Sequence, residues 1–213
     1  MMDFSLSHEQ QEQVEKARAF TKEWIAPKAV EYDRSGEFPL EICREAFKQG
    51  LMNPHIPTEF GGTPHTVLDH CLVLEEMAAG CSGIATAIDA NGLSQYPVIL
   101  AGTDDQKRRF LAPMTESLKF SAYAVTEPEA GSDVSRVKTT ATKVGSDYVL
   151  NGIKWWITNG SVADWYFVLT RFDEKPTAFI VPADSPGIIR GPKEINLGQH
   201  ASNTVRVSFE DVK

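Results

Sequence analysis

The hydrophobic period of this 213-residue chain changes once, near Lys119, and no other feature constrains its fold as strongly. Up to about Thr115 apolar residues recur at helical spacing. Ser7 and Gln10 stand at capping-box distance, and Val14, Ala17, Phe20, Trp24 and Ile25 then share one stripe, so a long amphipathic helix is expected there, kinked by Pro27. Pro39 suits the first position of a second helix that buries Ile42, Ala46 and Phe47 and stops at Gly50. Asn53 to His65, rich in proline and glycine, reads as an ordered loop. Helices resume over Thr66 to Ala79, which holds Leu68, Leu72, Val73 and Met77, and over Ser94 to Ala101. Thr103 and Gln106 repeat the capping-box spacing ahead of Phe110 and Leu111.

Beyond Lys119 the pattern becomes short β-rich runs, FSAYAV, TTATKV, DYVLNGIKWWIT, DWYFVLTRF, TAFIV and TVRVSF, separated by Gly, Pro, Asp and Asn. The Asn151-Gly152 pair, flanked by apolar residues on both sides, carries the sequence signal of a hairpin turn. Six or seven such strands predict a small antiparallel barrel or sandwich. The expected fold is therefore α+β, with an all-helical bundle over residues 1–118 and a β-domain over 119–213.

Composition removes several function classes. Net charge is -8 and the 21 Lys and Arg are scattered among 29 Asp and Glu, which argues against nucleic acid as a partner. No apolar run approaches the roughly 20 residues of a membrane span. Cys43, Cys71 and Cys81 are odd in number and lack CxxC spacing, so neither a disulfide nor a structural zinc site is expected. His65, His70 and Cys71 do not share a helix face, so no metal is assigned to them. The opening MMDFSLSHEQ has neither a secretory core nor the Arg-rich character of a transit peptide, and no targeting segment is expected in it. GxGxxG, P-loop and Ser-His-Asp patterns are missing, which speaks against a nicotinamide-binding Rossmann fold.

Two segments depart from ordinary structural sequence. In SAYAVTEPEAGSD an alternating strand runs into Thr126, Glu127 and Pro128, and then into Ala130-Gly131-Ser132-Asp133. Small residues there admit a ligand close to the backbone, and consecutive N–H groups beside a hydroxyl suit an anion or a flavin carbonyl. The plainer reading of the same residues is a strand ending in a tight turn capped by Ser132 or Asp133. In IKWWITNG strand alternation puts Trp156 and Thr158 on one face and Trp155 and Ile157 on the other. One face then serves the core while the other offers an indole and a hydroxyl to a flat ligand, or both tryptophans are core. Asp89, after the apolar run from Ile84 to Ile88, is read from sequence as a helix-end or surface carboxylate.

Together, YAVTEPEAGSD and KWWITNG resemble the acyl-CoA dehydrogenase family, and the likeness extends over the whole chain through IPTEFGG, AGTDDQKRRFL, FIVPADSPGI and SFEDVK. The text from Ser82 to Gln95 is most similar to medium-chain members. The resemblance implies an N-terminal helical domain and a middle β-domain, with the family's C-terminal four-helix domain absent from these residues. It implies FAD lined by Tyr123, Ala124, Val125, Thr126, Glu127, Pro128, Glu129, Ala130, Gly131 and Ser132, with Val125 and Thr126 near the isoalloxazine and Trp156, Ile157 and Thr158 as a second flavin contact. Ser132 would also touch the thioester substrate, and Asp89 stands near the end of the acyl-tail cavity, where medium-chain relatives usually carry Glu. Glu129 stands where many relatives have glycine, a mild departure expected to be tolerated if its side chain points to solvent.

The implied activity is α,β-dehydrogenation of fatty acyl-CoA to trans-2-enoyl-CoA in β-oxidation, with electrons passed on to an electron-transfer flavoprotein. The base, the arginine for the CoA side and the residues holding the FAD adenine belong to the C-terminal domain, so residues 1–213 alone are expected to be inactive. A homotetramer or homodimer is implied for the full-length protein, in the mitochondrial matrix of a eukaryote or the cytoplasm of a bacterium. A non-catalytic acyl-CoA- or flavin-binding short form and an acyl-CoA oxidase are the alternatives.

Overall fold

A computed structural model describes residues 5–63 and 65–213. Met1 to Phe4, at the start of the segment read for targeting signals, and Pro64, within the expected 53–65 loop, lie outside the described residues.

Secondary structure changes where the hydrophobic period does. Helices α1 (His8–Phe20), α2 (Ala29–Ser35), α3 (Leu40–Lys48), α4 (Val67–Gly80), α5 (Ser82–Asp89), α6 (Asn91–Ala101), α7 (Asp104–Phe110) and α8 (Pro113–Glu116) come first. Strands β1 (Ser121–Ala124), β2 (Thr140–Val144), β3 (Asp147–Thr158), β4 (Trp165–Phe172), β5 (Lys175–Pro182), β6 (Ile188–Lys193) and β7 (Thr204–Val212) follow. Among the described residues, no helix is long and apolar enough to cross a membrane.

The chain forms two compact units. One comprises the chain up to Asp89 together with Asn196–Ser202; the other comprises Ala90–Ile195 and Asn203–Lys213. In the first unit, Ser7 caps α1 through both bonds of a capping box with Gln10. Beyond α1 the backbone widens into a π turn at Thr21–Ile25 and tightens to a 3-10 turn at Ala26–Lys28 around Pro27, which has no N–H to continue the ladder. Ala17, Phe20, Ile25, Ile42, Ala46, Val73, Met77, Ile84 and Ile88 fill the core of this unit. Gly80 allows α4 to come close to the π turn, because a methyl group there would lie 2.5 Å from Thr21 Cγ2. A second capping box, Thr66 with Asp69, starts α4, and the Gln10 amide donates to Asp69 Oδ1 at 2.9 Å, joining the two helix starts. Gly50 ends the α3 region in left-handed backbone, as expected of a C-terminal glycine.

In the second unit, Asn91 at the start of α6 accepts from the Ser121 N–H through Oδ1 at 2.8 Å and donates to the Lys119 carbonyl at 3.1 Å, which seats the helix on β1. The sheet runs β1-β4-β2-β3-β7-β6, with β5 on the other edge of β4. It is mixed and not wholly antiparallel: β1 and β2 each pair parallel with β4. The β2–β3 hairpin between β1 and β4 provides the crossover that parallel pairing requires. Ala122, Leu150, Ile157, Tyr166, Val168, Val205, Val207 and Phe209 build the core.

The Asn151-Gly152 pair is not a turn. β3 runs straight through it, and the two-residue turn is Gly145-Ser146, with Val144 facing Asp147 and Gly145 at φ +63°. Asn151-Gly152 lies instead opposite a bulge in β7, where Leu150 faces Val212 and Gly152 faces Phe209. The Asn151 side chain bonds Asp211 in both directions at 2.9 Å. Gly152 is required by crowding as well as by its φ of +153°, since a methyl group there would lie 2.5 Å from Thr139 Oγ1 and 2.6 Å from its Cα.

Candidate functional site

The two sequence-selected segments meet in the second unit. β1 ends at Ala124, and the chain then makes a closed turn in which Glu127 and Ala130 exchange backbone hydrogen bonds of 3.0 and 3.1 Å. Thr126 accepts the Trp155 N–H at 3.0 Å, which fixes the turn beside β3.

Beneath the turn lies a buried ion pair. Lys154 is fully buried and Glu127 is 4% exposed. Lys154 Nζ donates to Glu127 Oε1 at 2.7 Å and to the Val125 carbonyl at 3.0 Å. The same carboxylate accepts from the Lys138 N–H at 2.7 Å, the Thr139 N–H at 3.0 Å and the Thr139 hydroxyl at 2.6 Å. Burial disfavours charge on both partners. On Glu127 the donors from Lys154, Thr139 and Lys138 outweigh it and hold the carboxyl below its usual range, whereas burial leaves the Lys154 ammonium below its own.

The expected alternation of Trp155 and Trp156 does not hold. Between Lys154 and Ile157 the register against β7 shifts, with Lys154 facing Val207 and Ile157 facing Val205, so β3 carries one extra residue. Lys154 and Ile157 therefore both point inward and neither tryptophan enters the core. Trp155 is half-buried, donates Nε1–H to Glu194 Oε1 at 2.5 Å and lies under Arg206, whose guanidinium is 5.4 Å from the ring. Trp156 occupies left-handed backbone at φ +59° and is 53% exposed. A bulky residue in that conformation is an outlier, and such strain concentrates at sites of function.

The remaining residues divide by exposure. Ala124, Val125, Ala130 and Ile157 turn their side chains into the core, so only their backbone can meet a ligand. Thr126 and Thr158 are half-buried, while Pro128, Glu129, Gly131 and Ser132 are exposed. Glu129 points outward and pairs with Lys138 at 2.5 Å. A methyl group on Gly131 would meet nothing within 4 Å, so the turn opens onto free space. Tyr123 stacks on Phe167 at 5.5 Å and 7°. The exposed indole and the open glycine turn fit a flat aromatic ligand with a polar tail. A cavity of about 610 Å³ in this unit is lined by Pro97, Phe110, Phe167 and Phe179 and includes neither the Thr126–Ser132 turn nor the tryptophans.

In the first unit Asp89, the last residue of α5, places Oδ1 3.0 Å from His70 Nε2. His55 approaches the same histidine edge-to-face, with ring centroids 4.2 Å apart, and burial followed by the nearby His70 pushes its imidazole down to about 4. The three groups come from a loop and two helices, and their separation in sequence offered no signal. Their geometry is that of a hydrogen-bonded His–Asp pair with a second ring packed on its edge. Nor does the sequence signal the Glu127–Lys154 pair, whose members stand 27 residues apart with no pattern that links them.

Comparison with known proteins gives a consistent picture. The acyl-CoA dehydrogenase N-terminal domain matches residues 7–117, and the acyl-CoA dehydrogenase middle domain matches residues 122–212. The "Probable medium-chain specific acyl-CoA dehydrogenase 2, mitochondrial" of Caenorhabditis briggsae is 44% identical over 100% of this chain and 54% of its own length. The solved butyryl-CoA dehydrogenase of Megasphaera elsdenii superposes with a TM-score of 0.92 at 36% identity, over 99% of this chain and 58% of that one. A glutaryl-CoA dehydrogenase of Mycobacterium smegmatis, solved in complex with FADH2, does so with a TM-score of 0.89 at 26% identity, over 97% and 54%. The chain thus spans about half the length of the curated relatives it matches. With both domains matched in order across nearly every residue, the chain belongs to the acyl-CoA dehydrogenase family.

Proposed function

We propose that this chain provides the helical and β-domain portion of an FAD-dependent dehydrogenase that converts fatty acyl-CoA thioesters to trans-2-enoyl-CoA and delivers the electrons to an electron-transfer flavoprotein. Bound FAD supplies the two-electron acceptor chemistry that the side chains lack. One observation carries the reading: the β3 bulge offers Trp156 to solvent from strained backbone beside the Thr126–Ser132 turn, to which it is tied by the Trp155–Thr126 bond. Trp156 and Thr158 would hold one edge of the ring system, and the exposed backbone from Gly131 to Ser132 its polar part. Val125 and Thr126 would line it through the main chain. Ser132 would also meet the thioester. The FADH2 complex of the Mycobacterium smegmatis relative supports the cofactor.

Proton abstraction, which needs a base within hydrogen-bond reach of the reacting carbon, is assigned to no residue of these 213, following the family resemblance, which implies a base in the C-terminal domain. In the full-length protein we assign a homotetramer or homodimer, in the matrix of a mitochondrion or the cytoplasm of a bacterium. The test is the visible spectrum of the purified full-length protein, followed by turnover of octanoyl-CoA with an artificial electron acceptor. Flavin bands and saturable dye reduction are expected. A colourless protein that gains no flavin on incubation with FAD would refute the reading.

A further inference from the structure

We infer that Glu127 and Lys154 are positioning residues, forming a buried ionic clamp that sets the Glu127–Ala130 turn and the Trp156 bulge in one fixed relation. The inference rests on the reading of these two elements as a flavin site.

The clamp's bonds lie at the roots of those elements. Lys154 Nζ holds Val125 and Glu127, where the chain leaves β1. The Glu127 carboxylate holds Lys138 and Thr139, where the chain re-enters the sheet toward β2. Residues 128–137 are thus a loop whose two ends are closed on one carboxylate. Lys154 is also the last inward residue before the bulge, and the next N–H, that of Trp155, bonds Thr126. The loop and the exposed indole consequently share one buried anchor.

Stability alone does not account for such an arrangement. Replacing both members of a buried ion pair by neutral groups of similar volume is often close to neutral for folding. A carboxylate with four directed donors, in contrast, specifies position, because each bond has a preferred angle and length. The clamp is therefore expected to matter more for ligand affinity than for folding.

The experiment uses the full-length protein with the double substitution Glu127→Gln/Lys154→Met. Gln keeps the shape but cannot accept from all of the Lys138 and Thr139 donors. The unfolding midpoint should fall less than that of Lys154→Ala, amide exchange at Lys138, Thr139 and Trp155 should quicken, and the FAD dissociation constant should rise on the order of tenfold with a changed visible flavin band. Wild-type exchange protection and FAD affinity in the double variant would overturn the clamp. If the double variant does not fold, Thr139→Val, which removes one donor to the same carboxylate, carries the test: faster exchange with weaker FAD binding supports the assignment, and unchanged values overturn it. A wild-type protein that binds no FAD would end the flavin reading, while the exchange measurements would still decide whether the clamp holds the loop.

Discussion

Lys154 Nζ lies 2.7 Å from Glu127 Oε1, and both side chains are withdrawn from water. Removing one partner leaves the other's charge buried without its counter-ion. Lys154→Ala should therefore cost about 3–5 kcal/mol in denaturant unfolding, well above the double replacement. A cost below about 1 kcal/mol would show that water reaches the carboxylate.

The same pair makes stability depend on pH in the acid range. The Glu127 carboxyl is held below its ordinary 4.5, so the unfolded chain takes up the proton first as pH falls. Its contribution is complete above about 4.5 and is lost as pH drops through the lower folded value. Below about pH 4.5 the unfolding free energy should fall more steeply for the wild type than for Glu127→Gln/Lys154→Met.

His55 acts in the same direction over a higher window. Its imidazole, facing His70, Asp89 and His65, is pushed from 6.5 down to about 4, so protonation favours the unfolded chain. The His55 contribution is full above 6.5 and declines as pH falls toward 4. His55→Gln should flatten the thermal midpoint over that interval, and an unchanged slope would assign the acid sensitivity elsewhere.

Trp156→Gly separates strain from function. Left-handed backbone costs a bulky residue about 1–2 kcal/mol, and little burial is lost with an indole that is 53% exposed. The glycine variant should match or exceed the wild type in thermal midpoint while retaining less FAD in the full-length protein. A large loss of stability would mean that the indole is a packing residue.

Gly152→Ala should be far more damaging than its size suggests. The added methyl meets Thr139 Oγ1 at 2.5 Å and Cα at 2.6 Å, at a φ of +153°. A loss of about 2 kcal/mol or more is expected, because overpacking and an unfavourable φ add together. Calorimetry of the single variant checks this, and a neutral result would mean that the chain yields at Thr139, just ahead of β2.

What was legible in the sequence was local. The Ser7–Gln10 and Thr103–Gln106 boxes, the left-handed stop at Gly50 and the disturbance at Pro27 all depend on backbone groups within a few residues of the side chain concerned, and all are present in the fold. The Thr66 box is less legible because an Asp, not the usual Glu or Gln, completes it. The change of period at Lys119 marked where helix gives way to strand for the same reason, since side-chain periodicity belongs to the element itself. Tertiary structure decided the rest. Asn151-Gly152 has turn chemistry, yet it faces a bulge in β7 some sixty residues further along the chain. Trp155 and Trp156 obey strand alternation only until β7 imposes the extra residue that sends both away from the core. Glu127 and Lys154 each look like solvated charges when read alone, and only the pairing of distant strands brings them together in the dry interior. Local propensity sets which elements form, whereas register, bulges and buried charge pairs are fixed by long-range contacts whose partners no short window of sequence contains.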